Sequence, residues 1–255
     1  MSHVTLLGTG AALTDEYREH TFMGVTGDQS SILIDCGGSP IARLIKAGVP
    51  LDGIEHLILT HHHPDHIYGL SVFLLDLWLS GRKKLLRIYG LSETLRAASA
   101  MMHAFEWERW FEVGFFPVEF HRISKKNRLP IFETPDFLVS TTPTKHLLPT
   151  VATRIQSKSS GKVVVYSSDT EMYEPVAELA HSADILFHES TSVIESQLGH
   201  SSALQAGMQA KCADVKKLVL VHLPPHVDPK KAYAAVKKNF KRRVVVGKDF
   251  QRFEF

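Results

Sequence analysis

Four histidines and one aspartate occupy five of the six positions from His61 to His66 of this 255-residue chain. Imidazole and carboxylate groups are the ligands of zinc and similar transition metals. His61 and His63 are two positions apart, so an extended backbone directs both rings to the same side. His62 points to the other side and is predicted not to be a ligand, whereas Asp65 and His66 follow on the turn. The spacing predicts a metal site and disfavours the alternative of a solvated, histidine-rich loop.

The histidine cluster lies between two apolar segments of different length. Residues 57–59 are typical of a buried strand, and residues 67–79 are typical of a helix. Pro64 and Asp65 fit the first turn of that helix, because proline there costs no hydrogen bond and a carboxylate is favoured at a helix N-terminus. We therefore predict that the cluster lies on a strand-to-helix turn.

Three further metal-type residues follow predicted strands later in the chain. His146 comes after the strand 137–141, Asp169 after 163–166 and His222 after 218–221. A site with two metal ions needs several ligands for each ion and a group that bridges them. Side chains placed just beyond strand ends can meet at one edge of a sheet, so these three are the predicted remaining ligands. His226 is an alternative to His222 but lies beyond two prolines.

Composition places further bounds on the class of protein. A chain of 255 residues that is 44% hydrophobic can bury a full core, and its net charge of +2 is too small to indicate nucleic-acid binding by itself. Cys36 and Cys212 lie in apolar segments and are predicted to be reduced core thiols. The N-terminus lacks the pattern of a signal peptide, and no apolar run has membrane-spanning length. These features predict a cytoplasmic protein that does not bind membranes.

The order of predicted elements indicates a layered α/β fold. The first half is rich in strands, with a helix predicted over 92–108, and the second half alternates strands and helices up to a last strand at 243–246. No linker rich in proline, glycine or serine interrupts the chain. We predict one domain over residues 1–255.

The segment from His61 to His66 resembles the His-x-His-x-Asp-His motif of the metallo-β-lactamase superfamily. The resemblance implies a four-layer αββα sandwich with its metal site at one edge. It also implies two divalent metal ions, zinc or else manganese or iron, and gives each ligand a role. One ion would be held by His61, His63 and His146, the other by Asp65, His66 and His222, with Asp169 as the bridge. Asp65 is also predicted to take part in catalysis.

Further motifs resemble the ribonuclease Z-like branch of that superfamily. Leu7-Gly8-Thr9-Gly10 and Ile34-Asp35-Cys36-Gly37 are similar to its first motifs. Phe187-His188-Glu189-Ser190-Thr191 and Gly199-His200-Ser201-Ser202 resemble its His-Glu-Ala-Thr and His-Ser-Thr motifs, with serine in place of the alanine and of the second threonine. The resemblance implies phosphodiester hydrolysis, in which His200 acts as general acid and Glu189 orients it. The alternative is that both residues are structural.

One departure from that branch concerns the substrate. Enzymes that process transfer RNA carry a protruding arm between the third histidine motif and the bridging aspartate, but here Asp169 lies only 23 positions after His146. The sequence therefore predicts an armless phosphodiesterase that acts on small or cyclic phosphodiesters, nucleotides or RNA, and the resemblance implies a homodimer. The alternatives are an acyl hydrolase, such as a lactonase or thioesterase, and a metal-binding protein without turnover.

Overall fold

The computed structural model describes residues 1–255 and contains two seven-stranded sheets. In the first sheet the strand order is β14-β1-β2-β3-β4-β5-β6, and the strands from β3 to β6 are parallel. Its strands are β1 (His3–Gly8), β2 (Phe22–Thr26), β3 (Ser31–Ile34), β4 (Ile54–Ile58), β5 (Leu86–Gly90), β6 (Val118–Arg122) and β14 (Arg252–Glu254). A 3₁₀ turn, Leu51–Gly53, precedes β4.

The second sheet has the order β13-β12-β11-β10-β9-β8-β7, with parallel pairing from β10 to β13 and antiparallel pairing from β7 to β10. Its strands are β7 (Leu129–Glu133), β8 (Phe137–Pro143), β9 (Val151–Ser157), β10 (Val163–Tyr166), β11 (Ile185–Glu189), β12 (Lys217–Val221) and β13 (Arg243–Val246). The strands β10 and β11 are buried along their whole length, and β12 is buried beyond Lys217, because both faces of this part of the sheet are covered.

Helices cover the outer face of each sheet. The helices α1 (Pro40–Ala47), α2 (Pro64–Ile67), α3 (Leu70–Leu79), α4 (Ser92–His103) and α5 (Glu108–Glu112) belong to the first half of the chain, and α6 (Glu174–Leu179), α7 (Ala203–Cys212) and α8 (Pro229–Asn239) to the second. Three separate apolar cores of 22, 22 and 21 buried residues lie between the two sheets and between each sheet and its helices. Three cores separate four layers, which confirms the predicted αββα sandwich.

Two predicted helices are interrupted. The helix expected over 67–79 is split into α2 and α3 at Gly69, whose N–H bonds the Cys36 carbonyl at 2.9 Å. A Cβ atom at Gly69 would lie 2.7 Å from that same oxygen, so only glycine allows this approach. The helix expected over 92–108 ends at His103, because the chain turns at Glu106, which has φ +52°.

Other sequence predictions also need correction. The strands β2, β7 and β14 were not predicted from the sequence; β7 and β14 are edge strands, short and only partly apolar. Cys36 is buried as predicted, but Cys212 is exposed at the end of α7, so the prediction that it is a core thiol is wrong. None of the helices is both long and apolar enough to cross a lipid bilayer.

Candidate metal centre

The predicted ligands lie at one edge of the sandwich, where strands of both sheets end. The histidine turn, residues 60–66, follows β4, and Asp169 and His222 follow β10 and β12. Asp35, Ser168 and His222 each adopt a left-handed backbone just beyond a strand, with φ of +62°, +52° and +57°. Such a conformation costs a non-glycine residue about 1–2 kcal/mol and is concentrated at functional sites. These sharp turns bring the polar side chains to the common edge.

His61, His63, His146 and Asp169 form the first group of potential ligands, and their ligand atoms all lie within 4.8 Å of one another. The Nδ1 atom of His63 is 3.1 Å from Nε2 of His61 and 3.0 Å from Nε2 of His146. Three imidazole nitrogens therefore converge on one point.

Asp65, His66 and His222 form the second group. Oδ2 of Asp65 lies 3.4 Å from the Nε2 atoms of both His66 and His222. Oδ2 of Asp169 lies between the two groups. It is 3.6 Å from Nε2 of His66 and of His222, 3.6 Å from Nε2 of His61 and 3.8 Å from that of His146.

Hydrogen bonds on the far side of three rings fix their tautomers. Nδ1 of His66 donates to the buried Asp35 carboxylate at 2.8 Å, and Nδ1 of His146 donates to the Gly199 carbonyl at 2.6 Å. The Thr60 hydroxyl donates to Asp35, so it accepts the Nδ1 proton of His61 at 3.1 Å. The proton is then on Nδ1 in each ring, and the Nε2 lone pair faces the centre.

The charge states of these groups suit a divalent cation. Burial lowers the pKa of His61 well below its usual range, so this ring is neutral. Burial alone would raise the pKa of Asp169, but His222 and His66 hold it well below its usual range. Nε2 of His66 and Oδ1 of Asp169 are buried without a hydrogen-bond partner. Burial alone would lower the pKa of His66, but Asp169 and Asp35 raise it well above its usual range, so a metal ion would take the place of the proton on its Nε2. A metal ion satisfies these unpartnered atoms, so the residues fit the divalent metal that the motif implies.

His200 and Glu189 form a dyad beside the centre. Nδ1 of His200 donates to Oε1 of the buried Glu189 at 3.0 Å, and the Thr170 N–H bonds the same oxygen at 3.0 Å. Burial disfavours the protonated ring, but the hydrogen bond and charge of Glu189, together with two aspartates, raise the pKa of His200 to about 9. The His200 ring stacks on that of His222 with centroids 5.7 Å apart. The Nε2 atom of His200 therefore remains available to exchange a proton.

The ligands predicted from the sequence lie together in the structure, but the sequence did not indicate the residues that support them. Asp35 was recognised only as part of a motif, although it follows a strand end as Asp169 and His222 do. His62 and His226 belong to no ligand group, in keeping with the preference for their neighbours. His200 also lies near two ligands, since its Nδ1 is 4.0 Å from Oδ2 of Asp169. The individual ligand and catalytic roles stay predictions.

Comparisons with known proteins agree with this geometry. Residues 2–246 match the protein family described as "Anti-Pycsar protein Apyc1". A ribonuclease Z of Mycobacterium bovis is 28% identical, over 100% of this chain and 98% of its own length. A metallo-β-lactamase fold protein of Bacillus subtilis, YhfI, superposes with a TM-score of 0.83 at 22% identity, covering 100% of this chain and 99% of the other. For the short form of human tRNase Z the TM-score is 0.79 at 23% identity, covering 99% and 98%.

The family match spans nearly the whole chain, and the Mycobacterium bovis ribonuclease Z aligns with all of it. The residues of the His-x-His-x-Asp-His motif lie together at one site. The chain therefore belongs to the Anti-Pycsar protein Apyc1 family, within the ribonuclease Z-like branch of the metallo-β-lactamase superfamily.

Proposed function

We propose that this protein is a metal-dependent phosphodiesterase with two divalent ions. The observation that carries the proposal is the position of the Asp169 carboxylate, whose Oδ2 atom lies 3.6–3.8 Å from imidazole nitrogens of both ligand groups. A carboxylate at that point can bridge two metal ions. Two ions held by these residues would supply a hydroxide nucleophile and would stabilise negative charge on the phosphate oxygens.

Each ligand group takes one ion in this proposal. The first ion is held by His61, His63 and His146, and the second by Asp65, His66 and His222, with Asp169 shared. Zinc is the proposed metal because imidazole nitrogens dominate both sets, and manganese and iron are the second choice. The Asp65 carboxylate contributes to catalysis by holding the second ion in its place beside His66.

His200 is proposed as the general acid for the departing oxygen. Hydrolysis of a phosphodiester releases an alkoxide, which needs a proton. His200 can donate this proton from Nε2, because its Nδ1 proton is bonded to Glu189 at 3.0 Å. Glu189 keeps the ring in that orientation. This dyad favours phosphodiester hydrolysis over the acyl-transfer alternative, because metal ligands alone would serve either reaction.

The proposed substrates are small or cyclic phosphodiesters. The β9–β10 connection is a tight turn at residues 158–162, so no arm projects between the His146 and Asp169 motifs. The relatives named ribonuclease Z make RNA the second candidate substrate. Net charge of +2 provides little long-range attraction for a long polyanion.

The proposal also covers domain organisation, oligomeric state and cellular compartment. We propose that the chain is a single domain. We also propose that it forms a homodimer and that it works in the cytoplasm. Exposed apolar side chains of α3, Val72 at 53% and Leu79 at 73% exposure, support a partner surface. Two unpaired cysteines support a reducing compartment. Light scattering coupled to gel filtration measures the oligomeric state, and a monomer at micromolar concentration would contradict the dimer.

A substrate panel tests the central proposal. Protein loaded with zinc, manganese or iron is assayed on bis(p-nitrophenyl) phosphate and on cyclic nucleotides, beside matched ester, lactone and thioester substrates. We expect turnover of the phosphodiesters that disappears on chelation and returns with metal, at about two ions per chain. Faster turnover of a lactone or thioester than of every phosphodiester would favour the acyl hydrolase instead.

A further inference from the structure

The Glu171 carboxylate connects two segments that flank the metal centre. Glu171 lies two residues after Asp169. Its Oε2 atom pairs with Nζ of Lys145 at 2.6 Å, and its Oε1 atom accepts the Gly199 N–H at 3.2 Å. A backbone hydrogen bond from the Glu171 N–H to the Lys145 carbonyl, at 2.8 Å, also joins the segment after β10 to the segment after β8. We call Lys145, Glu171 and Gly199 the Gly199 clamp.

Gly199 occupies a demanding position in the chain. Its carbonyl accepts the Nδ1 proton of His146 at 2.6 Å, and the next residue is His200. Its φ is +78°, and a Cβ atom there would lie 3.0 Å from Nδ1 of His146. The Gly199 carbonyl therefore contacts a predicted metal ligand, His146. Because Gly199 directly precedes His200, its position also determines where the backbone of the predicted general acid begins.

The segment before Gly199 has few other attachments. Ile194 and Leu198 are exposed, at 53% and 77%. Between residues 193 and 199, the hydrogen bonds from side chains of other elements are those of Glu171 and His146, and both are to Gly199. The backbone of α7 also holds the start of the segment, through the bond from the Leu204 N–H to the Val193 carbonyl at 3.1 Å. At its other end, the position of the segment relative to the metal centre depends on Gly199 and on the two side chains that hold it.

We propose that Glu171 is a positioning residue for the hydrolytic reaction, with Lys145 orienting its carboxylate. By holding the Gly199 N–H it fixes the carbonyl that orients His146 and the distance of His200 from the bridging Asp169. The proposal rests on the proposed function for its kinetic consequence, but the contact itself does not. Misplacing a catalytic group by about 1 Å costs up to roughly 10²-fold in rate.

Kinetics of three variants test this role. We expect Glu171→Ala to lower kcat by about 10- to 100-fold with KM and metal content little changed, since the metal ligands keep their remaining bonds. The loss should be greater for a phosphodiester with a poor leaving group. Glu171→Gln retains an acceptor for the Gly199 N–H and should recover most of the rate. Glu133→Ala is the control, because Glu133 also pairs with a lysine, Lys158 at 3.1 Å, but its side chain is more exposed and lies on β7, away from the metal centre.

A double variant separates positioning from general destabilisation. If Glu171 acts through His200, then Glu171→Ala should cost little more in a His200→Ala background. Full additivity of the two losses, or an equal loss for good and poor leaving groups, would overturn the proposal.

Amide hydrogen exchange provides a test that needs no substrate. In the metal-loaded protein, peptides covering residues 190–200 should exchange faster in Glu171→Ala than in the wild type or in Glu133→Ala, while the melting temperature stays the same. Unchanged exchange would overturn the clamp even if the enzyme is active. Faster exchange in a protein that hydrolyses no phosphodiester would support the clamp and reject the proposed function alone.

Discussion

The two sides of the metal centre are built in different ways. On one side, the histidine turn presents its ligands from one short buried segment, with His61 and His66 fully covered and Asp35 behind them. On the other side, single residues arrive from separate strand ends, and Gly199 and His200 follow a segment whose Leu198 is 77% exposed. Buried polar contacts in a low dielectric are stronger and harder to displace than exposed ones. In the proposed function, buried ligands from both sides hold the metals, and the more exposed segment that leads to Gly199 and His200 adjusts the chemistry performed on the substrate.

The largest effect is expected where the two sides join. Asp169→Ala removes the oxygen shared by both groups, so both ions should bind more weakly and hydrolysis should fall to background. Metal content by mass spectrometry and phosphodiester turnover measure the two losses. The control is Asp214→Ala, which removes an exposed aspartate paired with Arg242. Full occupancy with ordinary activity in Asp169→Ala would mean that this carboxylate is not the bridge.

The next largest effect is expected on the more exposed side, which carries Gly199 and His200. His200→Ala should retain its metals yet lose roughly 10²- to 10⁴-fold in kcat. The loss should shrink for a substrate with an acidic leaving group, because such a group departs without a proton. The exposed His181 gives the control substitution, His181→Ala. The same loss for acidic and basic leaving groups would contradict general acid catalysis.

A smaller and different effect is expected on the buried side. Asp35→Asn weakens the bond that orients His66, so affinity for the metal should fall by about 10- to 100-fold. Excess metal should then restore the rate, whereas His200→Ala should not respond to added metal. Titration of activity with zinc distinguishes the two, with Asp52→Asn on the exposed 3₁₀ turn as control. If Asp35→Asn stays inactive at saturating metal, the prediction that Asp35 acts through metal affinity is wrong.

The smallest effect concerns how catalytic efficiency depends on the size of the substrate. Without an arm between β9 and β10, few phosphates of a long RNA are contacted, so affinity for it should be low and depend weakly on salt. We expect a higher kcat/KM for a small phosphodiester than for precursor transfer RNA at physiological salt. Efficient and correctly placed 3′ cleavage of the precursor would show that another surface grips the RNA.

The contrast between the two sides also explains what the sequence could predict. The histidine turn was predicted as a unit because its ligands are local and lie between a strand and a helix of ordinary pattern. His146, Asp169 and His222 were predicted from their places after apolar strands. The supports were not, because Asp35 and Glu171 act through hydrogen bonds to residues far away in the chain, and no local pattern marks such partners. The left-handed turns at Asp35 and His222 are likewise set by the surrounding fold.

Some strands and helix ends were also not predicted, because they too depend on contacts far away in the chain. The three residues of β14 and the partly exposed strand β7 carry too little pattern to be recognised alone. Their pairing with distant strands stabilises them. The break at Gly69 between α2 and α3 arises because this turn contacts the Cys36 carbonyl, which again is a tertiary contact.

The pairing of β1 with β14 has a consequence for the order of events during synthesis. Val4 lies opposite Phe253, so the first sheet acquires the strand β14 only after residues 252–254 have been synthesised. The histidine turn is synthesised early, but Asp169 and His222 arrive much later. Contacts between residues so far apart in sequence form slowly. In the proposed function, the complete set of ligands is therefore available only after His222 has been synthesised, and the early histidines lack their partners until then.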